Sequence, residues 1–587
     1  MLRKLRKTLR WFPVILVLVS IVSLLAPRQA AADARGPAPA LSLVAAGNLG
    51  GPGLVAASPA PTPVPILYQF FDWGTDFRNV HPEWGPVGSV HFATWERINP
   101  GPGAYNWDWI DSYLAKERPL TVQLRSGEVI PKPVVLKVLA HLSSYPDWRG
   151  IFYDATPRWV YERIEAAGGG PLPEVNGRKV GHLLEGCDQP VVMPMYEHPI
   201  WQRAFQDMVR ALGRRYDQNP QLTAVIIATG LDGETQHIKD LKCPLKAQSD
   251  REVSGLSYRF QQFVLDTMRV YREAFPTKAL FIDNCPGGAG LRVESSRLAA
   301  SLNPPVGLKN SGLWMDFPNH QGIGNAVGAW DPIATYSETL PIMLESVYGF
   351  GGPEQHYWSW FAALNYHPVA LDVHPGFLQY SDPAWLAFVQ RHLGVTPENT
   401  PDVWTVLRDS EFEPVLWGEG RKDGYSGKIG DWTFWMKRIE GLPGQKTVHV
   451  TRADLPEAVR GDIQSRHARR TDQASGNTMM SFNIDDRVWF AGQQAPPVRF
   501  KVVMIFLNHG NDTLSLEYKN RQGQLVRKTL QKGTHLGPAD QWYKQIWVID
   551  DAVFENGLPG GADVRINCNG DGDETVRSLL VGDSTRF

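Results

Sequence analysis

From Pro65 to about residue 400, short apolar runs alternate with stretches whose apolar positions recur at helical spacing. Strand-like runs fall at Ile66–Phe71, Ser89–Thr94 and Pro133–Leu142, from Leu222 onward, and at Ala279–Asp283, Val306–Trp314 and Leu340–Glu345, with Ala370–Leu378 completing the series. Helical spacing marks Trp109–Ala115, Pro199–Tyr216, Tyr258–Phe275, Gln355–Asn365 and Pro383–Leu393. Val134 to His141 is an almost unbroken β-branched and leucine run, as a strand covered on both faces requires. Repeated β-then-α units over this length predict an α/β fold, a (β/α)8 TIM barrel with large loops on its active face.

After about Val403 the pattern changes. Val498–Leu507, Leu514–Tyr518, Gln545–Ile549 and Ala562–Asn567 are short β-branched and aromatic runs punctuated by Gly, Asn and Asp. They predict a C-terminal antiparallel β-sandwich of jelly-roll type. The expected division is a barrel over 66–403, a connector over 404–425 and the sandwich over 426–587.

The N-terminus reads as a targeting signal. Five Lys or Arg precede residue 11, Trp11 to Ala26 is mostly apolar, and Ala30-Ala31-Ala32 fits a small-x-small cleavage site. A signal peptide over 1–32 implies a secreted or extracytoplasmic body; an uncleaved anchor, tethering the chain to a membrane, is the alternative. Residues 33–65, rich in Ala, Pro and Gly, cannot build a core and read as a linker. A net charge of -2 offers no electrostatic case for nucleic acid. The four cysteines (Cys187, Cys243, Cys285 and Cys568) lack metal-ligand spacing. No cofactor or metal is expected, and pairing of Cys187 with Cys243 stays open. The 21 Trp residues suit the flat faces of sugar rings, and equally suit a core.

The chemistry sits in Leu222-Thr-Ala-Val-Ile-Ile-Ala-Thr-Gly-Leu-Asp-Gly-Glu-Thr235, a buried strand that turns and delivers Glu234 at its tip. Leu340-Pro-Ile-Met-Leu-Glu345 ends in a second carboxylate. Counted along the barrel, these are the fourth and seventh strands. Cleaving a glycosidic bond takes one acid to protonate the leaving oxygen and one carboxylate to meet the developing oxocarbenium ion. Glu234 is assigned as acid/base and Glu345 as nucleophile, with Asp232 a rival acid two residues away.

Trp95-Glu-Arg-Ile-Asn-Pro-Gly-Pro-Gly-Ala-Tyr-Asn-Trp-Asp-Trp-Ile-Asp111, Tyr216-Asp-Gln-Asn-Pro220 leading to Gly230-Leu-Asp-Gly-Glu234, and Glu345 carry a resemblance. Over about residues 65–400 the chain resembles the retaining (β/α)8 glycoside hydrolases of clan A, including β-galactosidase-like members. The resemblance implies hydrolysis of O-glycosidic bonds in oligo- or polysaccharides by double displacement. It departs at Gly233, where many such enzymes carry an Asn that binds the sugar 2-hydroxyl. Either another residue makes that contact, or the substrate geometry differs, or activity is lost. In the last case the chain is a carbohydrate-binding protein on a barrel scaffold.

Trp95, His141, Asn284, Trp314, Asp316 and Trp358 are the candidates for binding substrate, with Trp159, Tyr357 and Trp360 beside them. His141 also reads as a core histidine. Trp358 and Trp360 are two apart on a helix, so at most one faces the site. Trp489, Trp542 and Trp547 are possible glycan platforms on the sandwich.

Overall fold

The computed structural model describes residues 60–69, 84–143, 153–184, 191–237, 245–284, 289–311, 313, 331–346, 352–408, 431–439, 441–489 and 499–585. Residues 57–587 form one compact unit. The proposed signal, most of the linker, Cys187, Cys243 and Cys285 lie outside the described residues, and Cys568 is buried with a free thiol.

Eight parallel strands close into a barrel: β1 (Leu67–Gln69), β2 (Val87–Thr94), β3 (Val134–Leu139), β4 (Leu222–Ile227), β5 (Ala279–Asp283), β6 (Gly307–Ser311), β7 (Ile342–Ser346) and β8 (Ala370–Val373). Each strand pairs with its sequence neighbour, and β1 closes the ring against β8 with Leu67 opposite Leu371. The predicted α/β barrel is the fold observed. Alternation along each strand separates two cores. Ile66, Tyr68, Val90, Val135, Ala224, Phe281 and Met343 pack together inside the ring. Leu67, Leu136, Val225, Leu280, Leu308, Leu344 and Leu371 point outward against the helices. Both faces are apolar, so the strands show no polar side in sequence.

The third predicted strand is two elements. β3 stops at Leu139, and His141–Leu142 forms a separate two-stranded ribbon with Tyr153–Asp154. Ala370–Leu378 likewise divides, into β8 and a short helix, Pro375–Tyr380, started by the His374 side chain.

The helices between the barrel strands are α1 (Asp108–Glu117), α2 (Arg158–Ile164), α3 (Pro199–Tyr216), α4 (Leu245–Ala274), α5 (Ala289–Ser301), α6 (Asp331–Tyr336), α7 (Gly352–Leu364) and α8 (Pro383–His392), of which the sequence pattern predicts all but α2, α5 and α6. Helix α3 shows why such a helix forms. His198 caps it by accepting from the Ile200 amide at 3.2 Å, and Pro199 presets the first turn. Trp201, Phe205, Met208 and Leu212 then form one buried stripe.

The C-terminal part comprises two antiparallel sheets, of seven and five strands. Asp402–Val406, expected as the barrel's end and the start of a connector, is a strand of the larger sheet, paired with 578–582. Its side chains are buried, and Thr405 donates to the Met436 carbonyl at 2.6 Å.

Helices α3 and α4 approach closely at Gly213, where an added Cβ would lie 2.2 Å from the Ala274 carbonyl oxygen. Alanine has the better helix propensity by about 1 kcal/mol, but overpacking costs about 1–3 kcal/mol. Gly213→Ala is therefore expected to lower the melting temperature, by calorimetry. A rise would show that the two helices separate freely here.

Candidate active site

Above the apolar filling, the barrel's upper layer is charged. Lys137 of β3, Asp283 of β5, Lys309 of β6, Glu345 of β7 and Asp372 of β8 are all buried, and Asp283, Lys309 and Asp372 are 0 % exposed. The strand registers bring them together: Asp283 lies opposite Lys309, Ser311 opposite Glu345, and Glu345 opposite Asp372.

The Lys309 ammonium is the hub. It reaches Asp283 at 3.0 Å and the Ser311 hydroxyl at 3.1 Å, and is ion-paired with Glu345. Those partners occupy its three donor positions. Lys137 also reaches Asp283, at 3.2 Å, and Ser311 donates to the same carboxylate at 3.1 Å. Asp372 lies 3.9 Å from the Lys309 nitrogen, and neither of its oxygens has a hydrogen-bond partner.

Burial alone would push the Lys309 ammonium down, but Asp283, Glu345 and Asp372 together hold it above the ordinary lysine range. It stays charged, so it is no amine nucleophile, a role that needs a depressed value. Burial would raise Asp283, yet Lys309 and Lys137 outweigh it and hold the carboxyl below its usual range. Asp372 goes the other way. Burial first, and the Glu345 charge second, push it well above the carboxylate range. With Asp372 protonated, two ammonium groups face two carboxylates and the layer is neutral.

Glu234 stands at the rim, 8 % exposed, and Glu345 is 4 % exposed. After β4 the chain makes a tight turn over Leu231–Gly233, with Asp232 at φ +56° and Gly233 at φ +83°. The turn is closed by the Leu231 amide on the Gln236 carbonyl at 2.8 Å, and Thr235 donates to the Asp283 carbonyl at 3.0 Å. Glu234 is thereby set beside the end of β5, and the Gln236 amide donates to its carboxylate. Gly233 rests on Lys137, since a Cβ there would stand 2.2 Å from the lysine Cε. Contacts thus run from the Glu234 turn through Lys137, Asp283 and Lys309 to Glu345. Asp232, the rival acid, accepts from the Ser143 amide at 2.8 Å, so it holds the neighbouring loop.

The other candidates divide. Trp314 and Asp316 lie outside the described residues. Trp95 is not in the site. It is 0 % exposed, edge-on to Trp201 at 5.3 Å and to Phe205 at 5.2 Å, because the turn after β2 folds it under α3. His141 is a core histidine, its ring nitrogens taken by the Tyr196 hydroxyl at 3.0 Å and the Val192 carbonyl at 2.9 Å. Trp358 is buried and donates to the Ile463 carbonyl at 3.0 Å, tying α7 to the C-terminal part. Asn284 sits at the end of β5, but its amide is consumed by α5, donating to Ser296 at 2.8 Å and accepting from Ser295 at 2.9 Å. Tyr357 and Trp360 are buried as well, Trp360 donating to Ser381, and half-buried Trp159 donates to the Asn99 carbonyl. On the sandwich, Trp489 and Trp547 are buried, and Trp542 donates to Ser465 with Arg577 over its ring.

Lys137, Asp283, Lys309 and Asp372 were not singled out from sequence. The signal was present as single charges inside otherwise apolar strands, at positions where lysine and aspartate are almost never fully buried unless paired. Among the described residues no cluster of three His, Cys, Asp or Glu side chains is placed to hold a metal ion.

Comparison with known proteins adds likenesses of fold. No family model matches the chain, and no curated protein matches it. Among solved structures it is similar to a β-galactosidase from the psychrophilic Marinomonas ef1, at 12 % identity over 53 % of this chain and 56 % of that one, with a TM-score of 0.29. A cold-adapted β-galactosidase from Rahnella sp. R3 shares 12 % identity over 58 % of each chain, with a TM-score of 0.32. The chain spans little more than half the length of these two enzymes. Endo-glycoceramidase II from Rhodococcus sp. shares 12 % identity over 85 % of this chain and 88 % of that one, with a TM-score of 0.30. Similarity at this level carries no inference about activity, which rests on the site itself.

The raised Asp372 carboxyl has a measurable consequence. The folded state holds a proton there that the unfolded chain releases above its ordinary value. The contribution is full at low pH and is lost as pH rises through the folded value. Asp372→Asn removes that dependence. The variant is expected to match the parent near pH 4 and to melt higher by a few degrees at pH 8, where about 1 kcal/mol corresponds to a few degrees. A variant less stable at pH 8 than at pH 4, relative to the parent, would mean an ionised Asp372.

Proposed function

We propose that the chain is an exported retaining glycoside hydrolase acting on oligo- or polysaccharide. The observation that carries the reading is the pair of glutamates on the fourth and seventh strands of a closed parallel barrel. Glu234 lies just past the C-terminal end of β4 and Glu345 is the penultimate residue of β7, the side where barrels of this kind assemble their chemistry. Export is supported by the basic and then apolar N-terminal sequence.

In the first step a Glu345 oxygen attacks the anomeric carbon while Glu234 gives its proton to the departing glycosidic oxygen. A glycosyl ester on Glu345 results. In the second step Glu234 takes a proton from water, the hydroxide attacks the same carbon, and Glu345 leaves as carboxylate, so configuration is retained. Lys309 holds one oxygen of Glu345 and fixes its direction, leaving the other for attack. Protonated Asp372 keeps the layer from acquiring an uncompensated negative charge beside the nucleophile.

Glu234→Gln is expected to lose about 10²- to 10⁴-fold in kcat on substrates with poor leaving groups, and less on aryl glycosides with good ones. Glu345→Gly is expected to be inactive in water and partly rescued by azide, giving a glycosyl azide of inverted configuration by NMR. Wild-type turnover in either variant, on a substrate the parent cleaves, sinks the assignment.

A second reading has its own observation. The buried Lys309–Glu345 ion pair and the side-chain-free position before Glu234 also suit a barrel that binds sugar without cleaving it. That protein would bind on a glycan array, release no sugar from anything it binds, and bind undiminished after Glu345→Gln.

A further inference from the structure

A groove of about 550 Å³ on the barrel's outer wall is lined by Arg163 of α2, by Arg203, Asp207, Arg210 and Arg214 of α3, and by the rings of Tyr105 and Trp159. The α3 residues recur at i, i+4, i+7 and i+11, so they form one stripe on one helix face. At helical rise the stripe is about 16 Å long. Four guanidinium groups against one carboxylate leave three positive charges in the groove, on a chain whose net charge is -2.

The positive charge is largely uncommitted. Arg210 pairs with Asp207 at 3.1 Å and lies 4.0 Å from Glu273, but Asp207 and Glu273 are about two-thirds exposed, so these contacts exchange readily. Among the described residues no carboxylate pairs with Arg163, Arg203 or Arg214. The two rings are fixed in advance. Tyr105 donates to the Asp207 carbonyl at 3.3 Å, and Trp159 donates to the Asn99 carbonyl at 3.0 Å, so neither polar edge needs the ligand.

We propose that this groove binds a glycan carrying carboxylates, a chain of uronic acid residues, separately from the barrel mouth. Guanidinium forks match carboxylates in two-point hydrogen bonds. Fixed aromatic rings match the apolar C–H faces of pyranose rings. The stripe is linear and open, as a polymer requires. The inference concerns binding alone and stands whether or not the barrel turns over a substrate.

The test uses the full chain and a fluorescein-labelled oligogalacturonate, with anisotropy as readout. The comparison ligands are the same oligomer with its carboxyl groups reduced, a dextran sulfate oligomer, which carries sulfates but no carboxylates, and a DNA duplex. Oligogalacturonate is expected to bind and the reduced oligomer not. The double variant Arg210→Glu/Arg214→Glu is expected to weaken binding by at least about tenfold with an unchanged melting temperature. Arg163→Gln, on a different helix, is expected to weaken it too and serves if the double variant is unstable. No binding of oligogalacturonate overturns the proposal, as does equal binding of the reduced oligomer or undiminished binding in the variants. DNA or dextran sulfate bound as tightly as oligogalacturonate also overturns it, since the groove would then read charge and not a uronate chain.

Discussion

The site depends on one ammonium group. Lys309 sits inside a closed barrel with no exposed surface, and each of its three donors meets an oxygen on β5, β6 or β7. An ion in such a place is not a device for stability, because the desolvation of both partners roughly cancels their attraction. What it supplies is position. Withdrawing any one carboxylate leaves a buried charge uncompensated, so the C-terminal ends of β5, β6 and β7 are held to one arrangement. Glu345 inherits its direction from that arrangement. The same requirement accounts for Asp372. With Lys309 saturated, a fifth charge in the layer would have no counter-ion, and the group furthest from the nitrogen keeps its proton.

Beneath and outside that layer the aromatic residues serve as structure. Trp201 stacks on Phe205 at 5.4 Å, with Trp95 and Phe263 edge-on, locking α3 and α4 against the strands. A second group joins the barrel to the C-terminal sheets. Phe361 meets Trp404 at 5.3 Å, and Trp404 stacks on Phe434, also at 5.3 Å. Trp404 belongs to a strand that straddles the boundary at which the sequence pattern ends the barrel and starts a connector. Its place in the larger sheet, with Trp358 bonded to Ile463, explains why residues 57–587 form one unit. Trp95, Trp201 and Trp404 thus serve these two packed seams.

The fold was legible because both of its periodicities are clean. Apolar strands of three to eight residues alternate with amphipathic helices, and the bounds of α3 agree with its apolar stripe and with the Asp217–Pro220 turn that follows it. The break after Leu139 was not legible, since Ala140 to Leu142 continues the apolar run while hydrogen bonding switches to a ribbon. The site was half legible. Glu234 and Glu345 announce themselves after apolar runs, whereas Lys137, Lys309 and Asp372 lie within strands, where a lone charge looks like an interruption, and Asp283 at the end of β5 is marked only by the two ammonium groups it meets. Their meaning comes from registers between strands distant in sequence. Trp95 and His141 misled for the opposite reason, since a residue near a strand end gives no sign of which way the following turn carries it.

Position 233 shows how those registers alter the meaning of a motif. In many of the enzymes that the chain resembles an Asn precedes the acid; here a glycine does, which taken alone suggests a lost contact. The turn places this residue at φ +83°, and a Cβ would collide with Lys137 Cε at 2.2 Å, with Ala228 and Leu139 also close. Asparagine tolerates the backbone conformation better than most residues, but no side chain fits while Lys137 lies beneath. Lys137 in turn cannot leave, because Asp283 would then have Lys309 as its only cation while Lys309 also serves Glu345. Gly233 and Lys137 are therefore interdependent, the bare backbone at 233 leaving the room that the lysine occupies. Together they form the floor under Glu234, whose carboxylate is presented at the rim.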